Sequence, residues 1–475
     1  MKRKVFNILK YIVLILFTLM SLYLIYSVNK LNILKTLYFI GVCAIILLIW
    51  LLITINLLKN NSKIVSKVIL CILSIILSCG YFMAVRYTNQ AIKFVEDMTK
   101  INYETQNYSV LVLYDNYNSI EELNSKKIGF ISTNINLDET KDKLKKEISY
   151  KSKEYEDVGS LIAGIYNNEI DALVIDESYI DLLEENEVAF INESKSIYSF
   201  DIKVKKKDTR KKVNINEEPF ILYISGTDSR TTVSDTARSD VNIVTVINPK
   251  TNKILLVSIP RDYYVQLHDT IGVKDKLTHA GVYGVEKSIT TIEDLLSIDI
   301  NYYGKVSFNT VVNIVDTIDG IDIYSDLQFN AVALDKSVCT YVEGINHLNG
   351  QCALRFARER KSYLTGDRHR GQNQQAVITA IIDKLKNPKY LVKYNDILGA
   401  ANGTFETDLT YEEITSFVKY QLSELRNWQV ESISLDGTGA MEPTYSMGSQ
   451  RLYVMIPDQS TIDYAKVKIN EYLEK

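Results

Sequence analysis

Between Phe220 and Arg370 the sequence gathers groups suited to gripping an anion. The chain has 13 arginines against 41 lysines, yet Arg230, Arg238, Arg261, Arg355, Arg358, Arg360, Arg368 and Arg370 all fall within one stretch of 141 residues. A guanidinium offers what an ammonium does not: a planar fork of donors that holds phosphate or carboxylate bidentately, and a charge that survives partial burial. Surface ion pairing is the ordinary reading of any one of these arginines, but it does not predict their concentration beside glycine-bearing turns. Carboxylates accompany them. An apolar run, Phe220–Ile224, leads into Ser225-Gly226-Thr227-Asp228-Ser229-Arg230; Arg238-Ser239-Asp240 opens a second run, Val241–Ile247; a third, Ile254–Ile259, ends in Pro260-Arg261-Asp262. If these runs are adjacent strands, their charged tips converge. Asp228 and Asp240 among arginines suit a divalent cation held between protein and a phosphorylated substrate, with Mg2+ the natural ion and Mn2+ its substitute. Either aspartate alone reads equally well as a turn or helix cap, and Pro-Arg-Asp also reads as a turn.

The elements that position these tips follow from hydrophobic patterning. At 475 residues the chain exceeds what one core holds and predicts several domains. Charge-free apolar runs at 11–28, 36–58 and 68–85 are each close to the ~20 residues that cross a bilayer, so residues 1–86 read as a three-helix membrane anchor. Lys10 abuts the first run and two further spans follow it, which argues against a cleaved signal peptide. Residues 1–86 carry ten Lys/Arg and no Asp or Glu, which leaves −14 on the remainder. Lys2, Arg3, Lys4 and Lys10 favour a cytoplasmic N-terminus, and three crossings then place the acidic bulk outside the cytoplasm. An exterior of that charge speaks against nucleic-acid binding.

Residues 87–106 read as a polar, helix-prone stalk. A small α/β accessory domain follows over 107–206, with strands expected at 109–114, 127–132, 171–175 and 199–204 and helices near 138–148, 158–167 and 179–185. It resembles one lobe of an extracytoplasmic solute-binding protein, in the order of Lys127–Ser132, a helix, and Asn168–Asp176. A single lobe lacks a facing wall, so a spacer or interaction module outweighs ligand binding as its reading. A lysine-dense linker, 207–218, leads to a larger α/β domain over 219–475 with a central mixed sheet flanked by helices. Helices rich in apolar residues are expected at 285–298, 309–318, 375–385, 411–424 and 461–473, and strands at 430–434 and 451–455; everything past Asn387 reads as completing this domain. Cys339 and Cys352 are the two cysteines outside the spans, and both a disulfide and two buried thiols fit them.

From Phe220 to Lys384 the motifs resemble the LytR-CpsA-Psr family of bacterial cell-envelope ligases. They include the strand into GTDSR, ARSD at 237–240, SIPRDYYV at 258–265, KLTHA at 276–280, LNGQCALRFARER at 348–360, and Gly366-Asp367-Arg368-His369-Arg370 running into Gln374-Gln375. The resemblance implies transfer of a phosphorylated glycopolymer, of teichoic acid or capsular polysaccharide type, from a polyprenyl-pyrophosphate carrier to peptidoglycan. It implies that Asp228 and Asp240 hold Mg2+ and that Arg238, Arg261, Arg358 and Arg360 grip the pyrophosphate. Arg230 and Arg370 would line the phosphate site, and Asp367 falls on an acidic family position as candidate base. The implied setting is a multi-pass membrane protein with its catalytic domain outside, and other envelope-synthesis proteins meeting the accessory domain. The sequence departs from the family pattern at Asp319-Gly320, His369 and Asn373. Two alternatives use the same residues: a polyprenyl-pyrophosphate phosphatase, and a non-catalytic sensor of lipid-linked phosphate. No Walker-type loop is present.

Overall fold

The computed structural model describes residues 2–59, 63–99, 103–134, 136–180, 182–183, 187–227, 236–332, 337–363, 366–424 and 426–474. They form two compact units.

The first unit contains three helices long and apolar enough to cross a bilayer: α1 (Lys2–Leu31), α2 (Thr36–Leu58) and α3 (Ile64–Thr99). They meet through Val13, Phe17, Ile53, Leu57 and Cys71, while Ile15, Leu19, Leu48 and Ile76 point outward, uncovered by protein. That inversion of the usual arrangement suits a lipid surround. α3 continues past its apolar run to Thr99, over the first part of the expected stalk. Two stretches expected in the larger α/β domain, 385–402 and 409–427, fall in this unit. They carry the helices α12 (Tyr394–Ala401) and α13 (Tyr411–Glu424). Leu398 and Tyr411 pack on Leu31, Ala91 and Ile92, and Asn395 Nδ2 donates to the Tyr87 carbonyl at 2.6 Å. Pattern alone shows that a helix has an apolar face; it does not show which neighbour covers it.

Among the described residues, the second unit holds two large sheets and four two-stranded ones. The accessory sheet has strands β1 (Tyr103–Leu113), β2 (Lys127–Ile131), β3 (Lys151–Tyr155), β4 (Ala172–Asp176) and β5 (Ser194–Lys205) in the order β3-β2-β4-β1-β5. Helix α4 (Leu137–Lys145) links β2 to β3, and α5 (Val158–Tyr166) links β3 to β4; α6 (Val188–Glu193) precedes β5. The periodicity misses β3 because Lys-Ser-Lys-Glu-Tyr is polar; lysine-bearing strands of this kind protect a sheet edge from unwanted pairing. β1 begins four residues before the expected boundary because Tyr103–Gln106 pair with Ile202–Lys205, a partner about a hundred residues away.

The larger sheet is mixed, as expected. Its strands are β6 (Phe220–Thr227), β7 (Val241–Asn248), β8 (Lys253–Ile259), β11 (Tyr302–Ser307), β16 (Phe405–Thr407) and β17 (Gln429–Ser434), in the order β16-β11-β6-β7-β8-β17. β6, β8, β11 and β17 run parallel to one another and end at one edge, and β7 begins there. Around this sheet lie the short pair β9 (Tyr264–Val265) and β10 (Asp275–Lys276), the helix α7 (Leu277–Ala280) with a further turn through Tyr283, and α8 (Val285–Leu296). Beyond β11 come α9 (Phe308–Thr317), the paired strands β12 (Ile321–Ser325) and β15 (Gly344–Leu348), and the pair β13 (Phe329–Val332) and β14 (Val338–Tyr341). α10 (Gly350–Arg358), α11 (Asp367–Leu385), the hairpin β18 (Gly437–Thr444) and β19 (Gly448–Pro457), and α14 (Gln459–Leu473) complete it. Cys339 and Cys352 form a disulfide, Cα to Cα 5.6 Å, joining β14 to α10.

Candidate active site

Among the described residues, the Arg238-Ser239-Asp240 and Pro260-Arg261-Asp262 motifs leave the sheet at that shared edge. Gly226 lies opposite Val241, and Asn242 opposite Ile259, so β6, β7 and β8 deliver their polar tips side by side. Carboxyl edges of parallel strands are where open α/β sheets take ligands. Asp240 sits at the centre, 8% exposed. Its Oδ1 accepts from Arg261 Nη1 at 3.0 Å and from the Thr278 hydroxyl at 3.3 Å, and Arg370 Nη2 stands 3.9 Å from Oδ2. Burial works to raise the Asp240 carboxyl, but Arg261, Arg370 and Arg238 together hold it below the ordinary carboxylate range. One ionised carboxylate facing three guanidiniums leaves positive charge in excess.

The turn at Leu277–Tyr283 holds these loops in register. The Thr278 N–H donates to the Arg261 carbonyl at 2.8 Å, and its carbonyl accepts from the Ser239 N–H at 3.1 Å. A Cβ at Gly281 would lie 2.5 Å from the Ala237 carbonyl oxygen and 2.8 Å from the Ser239 nitrogen, so only glycine lets this turn press on the Arg238–Asp240 segment. Beneath it, Ser239 Oγ lies 2.8 Å from Ser225 Oγ and 3.0 Å from Tyr223 OH, and the tyrosine donates to Asn242 Oδ1 at 2.6 Å. Such a buried, satisfied polar network fixes geometry that an apolar filling would leave loose.

α11 brings the remaining cations. The helix begins at Asp367, eight residues before the expected start, which places Arg368 and Arg370 in its opening turns. The periodicity hides this because Asp-Arg-His-Arg-Gly-Gln-Asn-Gln-Gln is polar throughout. Gln375 Nε2 bridges the Leu256 and Ile433 carbonyls at 3.1 and 2.6 Å, anchoring the helix across β8 and β17. Asp240, Ser258, Arg261, Arg368, Arg370 and Gln374 line one cavity. A helix start adds its own preference for negative charge.

Arg238, Asp240, Arg261 and Arg370 are thus brought together. Arg358 stacks its guanidinium on the Phe308 ring at 4.7 Å; Phe308 follows Ser307, which lies opposite Thr227 at the same sheet edge. Arg360 lies in the turn after α10, its carbonyl accepting from the Tyr363 N–H. Arg355 is spent on the Ser337 carbonyl and hydroxyl, 3.0 and 2.5 Å away. Asp262 is engaged by Lys276 at 3.0 Å and Arg261 at 3.5 Å, which makes it an ion-pair partner within a turn. Asp228 and Arg230 lie outside the described residues, as does the side chain of Asp367. The sequence-based reading assigned no role to Lys276, Thr278 or Gly281; KLTHA covers the first two, and Gly281 follows it directly. At the two departures beside the site, His369 stacks on Tyr363 with ring centroids 3.4 Å apart, and Asn373 Nδ2 donates to the Phe356 carbonyl at 3.0 Å.

The model of the LytR_cpsA_psr family matches residues 188–464, more than half of the chain. The chain belongs to the LytR_cpsA_psr family. It is 34% identical over 258 residues to the polyisoprenyl-teichoic acid–peptidoglycan teichoic acid transferase TagU of Bacillus mycoides, a match spanning 54% of this chain and 80% of that relative. It is 30% identical over 282 residues to TagU of Bacillus subtilis, spanning 59% and 86%. Among solved structures, B. subtilis TagV is similar at 27% identity, with a TM-score of 0.45 over 54% of this chain and 98% of TagV. The family match reaches back across the end of the accessory domain and forward into α14.

Proposed function

We propose that this LytR_cpsA_psr member is a membrane-anchored, extracytoplasmic phosphotransferase. It attaches a phosphorylated glycopolymer, of teichoic acid or capsular polysaccharide type, from a polyprenyl-pyrophosphate carrier to a peptidoglycan hydroxyl. The observation that carries this reading is the convergence of Arg238, Arg261 and Arg370 on one buried, ionised Asp240, in a chain whose relatives are named teichoic acid transferases. Phosphoryl transfer is served chiefly by positioning and by neutralising charge on nonbridging and leaving oxygens, and this cluster is built for both.

In the proposed reaction the acceptor hydroxyl oxygen bonds to the glycan-bearing phosphorus as the bond to the bridging pyrophosphate oxygen breaks. Polyprenyl phosphate leaves, its charge met by Arg261 and Arg370, with Arg358 and Arg360, at and just past the end of α10, proposed to assist. Asp367 is the proposed acceptor of the hydroxyl proton. Among the described residues no three His, Cys, Asp or Glu side chains are grouped to hold a metal unaided. Mg2+ needs only one or two carboxylates plus substrate oxygens, and the ionised Asp240 fits one of those places, with Asp228 proposed for the other. When bound, the ion would neutralise charge on the pyrophosphate oxygens.

The test uses the full chain in detergent with a synthetic polyprenyl-pyrophosphoryl glycan, peptidoglycan oligomers and Mg2+. A glycan-phosphate-peptidoglycan adduct is expected, reduced by about 10²–10³-fold in Arg261→Ala and Asp240→Ala. Phosphorylated glycan released without adduct would replace the ligase reading with the phosphatase one, and binding without turnover would replace it with the sensor.

A further inference from the structure

A groove of about 420 Å³ runs beside the arginine cavity. One wall is α11, whose Gln372, Gln375, Thr379 and Asp383 recur at intervals of three and four and so share a face. Asp322 and Tyr324 of β12 form the other wall, and Ser432 and Ser434 of β17 lie between them. From Gln372 to Asp383 the helix rises about 16 Å, the length of a short oligosaccharide rather than of one sugar ring.

Both ends of the groove are fixed by hydrogen bonds. At the inner end Gln375 ties α11 to β8 and β17, and the Ser434 hydroxyl donates to Gln375 Oε1 at 3.3 Å. At the outer end Lys384 Nζ donates to the Asp319 carbonyl at 3.0 Å and to that of Gly320, in the turn that opens β12. Asp319 and Gly320 both take left-handed backbone there, with φ of 60° and 75°. A Cβ at Gly320 would lie 2.8 Å from the Leu348 carbonyl oxygen. The Asp319-Gly320 departure from the family pattern thus builds one wall of the groove. Ser434 also lines the arginine cavity, alongside Arg368, Arg370 and Gln374, so the groove opens onto the candidate phosphate site.

The two neighbouring hollows differ in charge. Arg261, Arg368 and Arg370 line the cavity, whereas no lysine or arginine lines the groove and two carboxylates do. Those carboxylates repel a polyanion, which argues against the phosphate-bearing donor polymer as occupant. A polyprenyl tail would leave the groove's hydroxyls, amides and carboxylates without partners. An uncharged saccharide satisfies both conditions. Tyr324, 58% exposed, offers a ring face to the C–H side of a sugar. Asp322, oriented by His347 Nδ1 2.7 Å from its Oδ1, joins Asp383, Gln372 and Thr379 in supplying acceptors and donors for hydroxyl and acetamide groups.

We propose that this groove holds the uncharged glycan strand of the acceptor and leads its hydroxyl toward the phosphate held beside Arg370. The occupant's role rests on the transfer reading above; its chemistry rests on the groove alone.

Saturation-transfer NMR on the full chain in detergent tests the site, with N-acetylated chitotetraose as probe and a sulfated oligosaccharide of the same length as polyanionic control. Inorganic pyrophosphate reports separately on the arginine cavity. Saturable binding of the neutral saccharide alone is expected, weakened about tenfold or more in Ala380→Trp, which fills the groove, and in Tyr324→Ala, which removes the ring face. Tyr324 is exposed, so its variant should keep the wild-type melting temperature. Both variants should bind pyrophosphate as wild type does and raise KM for peptidoglycan oligomers, with KM for the lipid-linked donor unchanged. Absence of saturable saccharide binding, undiminished binding by both variants, or a rise confined to the donor KM would overturn the proposal. Saccharide binding that persists while wild type fails to bind pyrophosphate would overturn the transfer reading and uphold the groove as a saccharide site.

Discussion

Asp240 and Asp176 are buried to the same extent, each 8% exposed, and each sits where parallel strands end. Their protonation is opposite. Three arginines hold the Asp240 carboxyl below its ordinary range, whereas Asp176, among acids, rises to about 7. Burial penalises the charged form at both sites, and the neighbours decide whether that penalty is overcome. One sheet edge therefore carries an ionised carboxylate among arginines and the other a carboxyl that holds its proton, within one compact unit.

The pH dependence of stability would break this comparison most directly. Asp176 keeps a proton in the native state that the unfolded chain gives up, so its contribution falls as pH rises from about 4 to about 7 and does not return. Asp176→Asn should remove that slope and raise stability at pH 8 by up to about 4 kcal/mol, with little gain at pH 4. Asp408, also raised to about 7 by burial, adds a slope of the same sign to both proteins and cancels in the difference. Asp240 has the reverse sign: its contribution is present above the ordinary carboxylate range and is lost as pH falls through its lowered value. Asp240→Asn should cost about 3 kcal/mol at pH 7, because it strands buried guanidiniums. Chemical denaturation of both variants across pH 4–8 measures these effects, and parallel curves would show that the neighbours do not set the charge.

Gly281→Ala sharpens the anion side. Its Cβ meets backbone atoms that cannot swing away, so the Arg238–Asp240 segment must shift; adduct formation is expected to fall about 10–100-fold, with about 1–3 kcal/mol lost in stability. Wild-type turnover in this variant would remove the turn from any positioning role. Arg368→Ala should have the smallest effect. Its pairing with Asp436 at 2.8 Å is half exposed, so stability should change by less than about 1 kcal/mol and KM by a few-fold, measured with the same assay.

The two edges also differ in how far they were legible beforehand. The anion site announces itself through charged residues at strand tips, and Asp240, Arg238 and Arg261 needed only the pairing of consecutive strands to meet. Arg370 needed the crossing of α11, whose polar first turns give no periodic signal. The cavity beside Asp176 was invisible because its second wall, Tyr283, lies 104 residues beyond Tyr179 in the chain. The solute-binding-lobe resemblance described one wall, and the spacer reading followed from the missing other.

Residue type and spacing by themselves determined the three apolar helices, the alternation of strands and helices on either side of the lysine-dense linker, and a cluster suited to phosphate. These are local quantities: span length, period, and the donor geometry of arginine against lysine. Only the tertiary structure decided that α12 and α13 pack with the N-terminal helices, that Cys339 pairs with Cys352, and that a glycine turn locks the Arg238–Asp240 loop. The ionisation of Asp240 and Asp176 belongs with these, because a pKa is set by burial and by the charges brought within a few ångströms, and both depend on segments far apart in the chain.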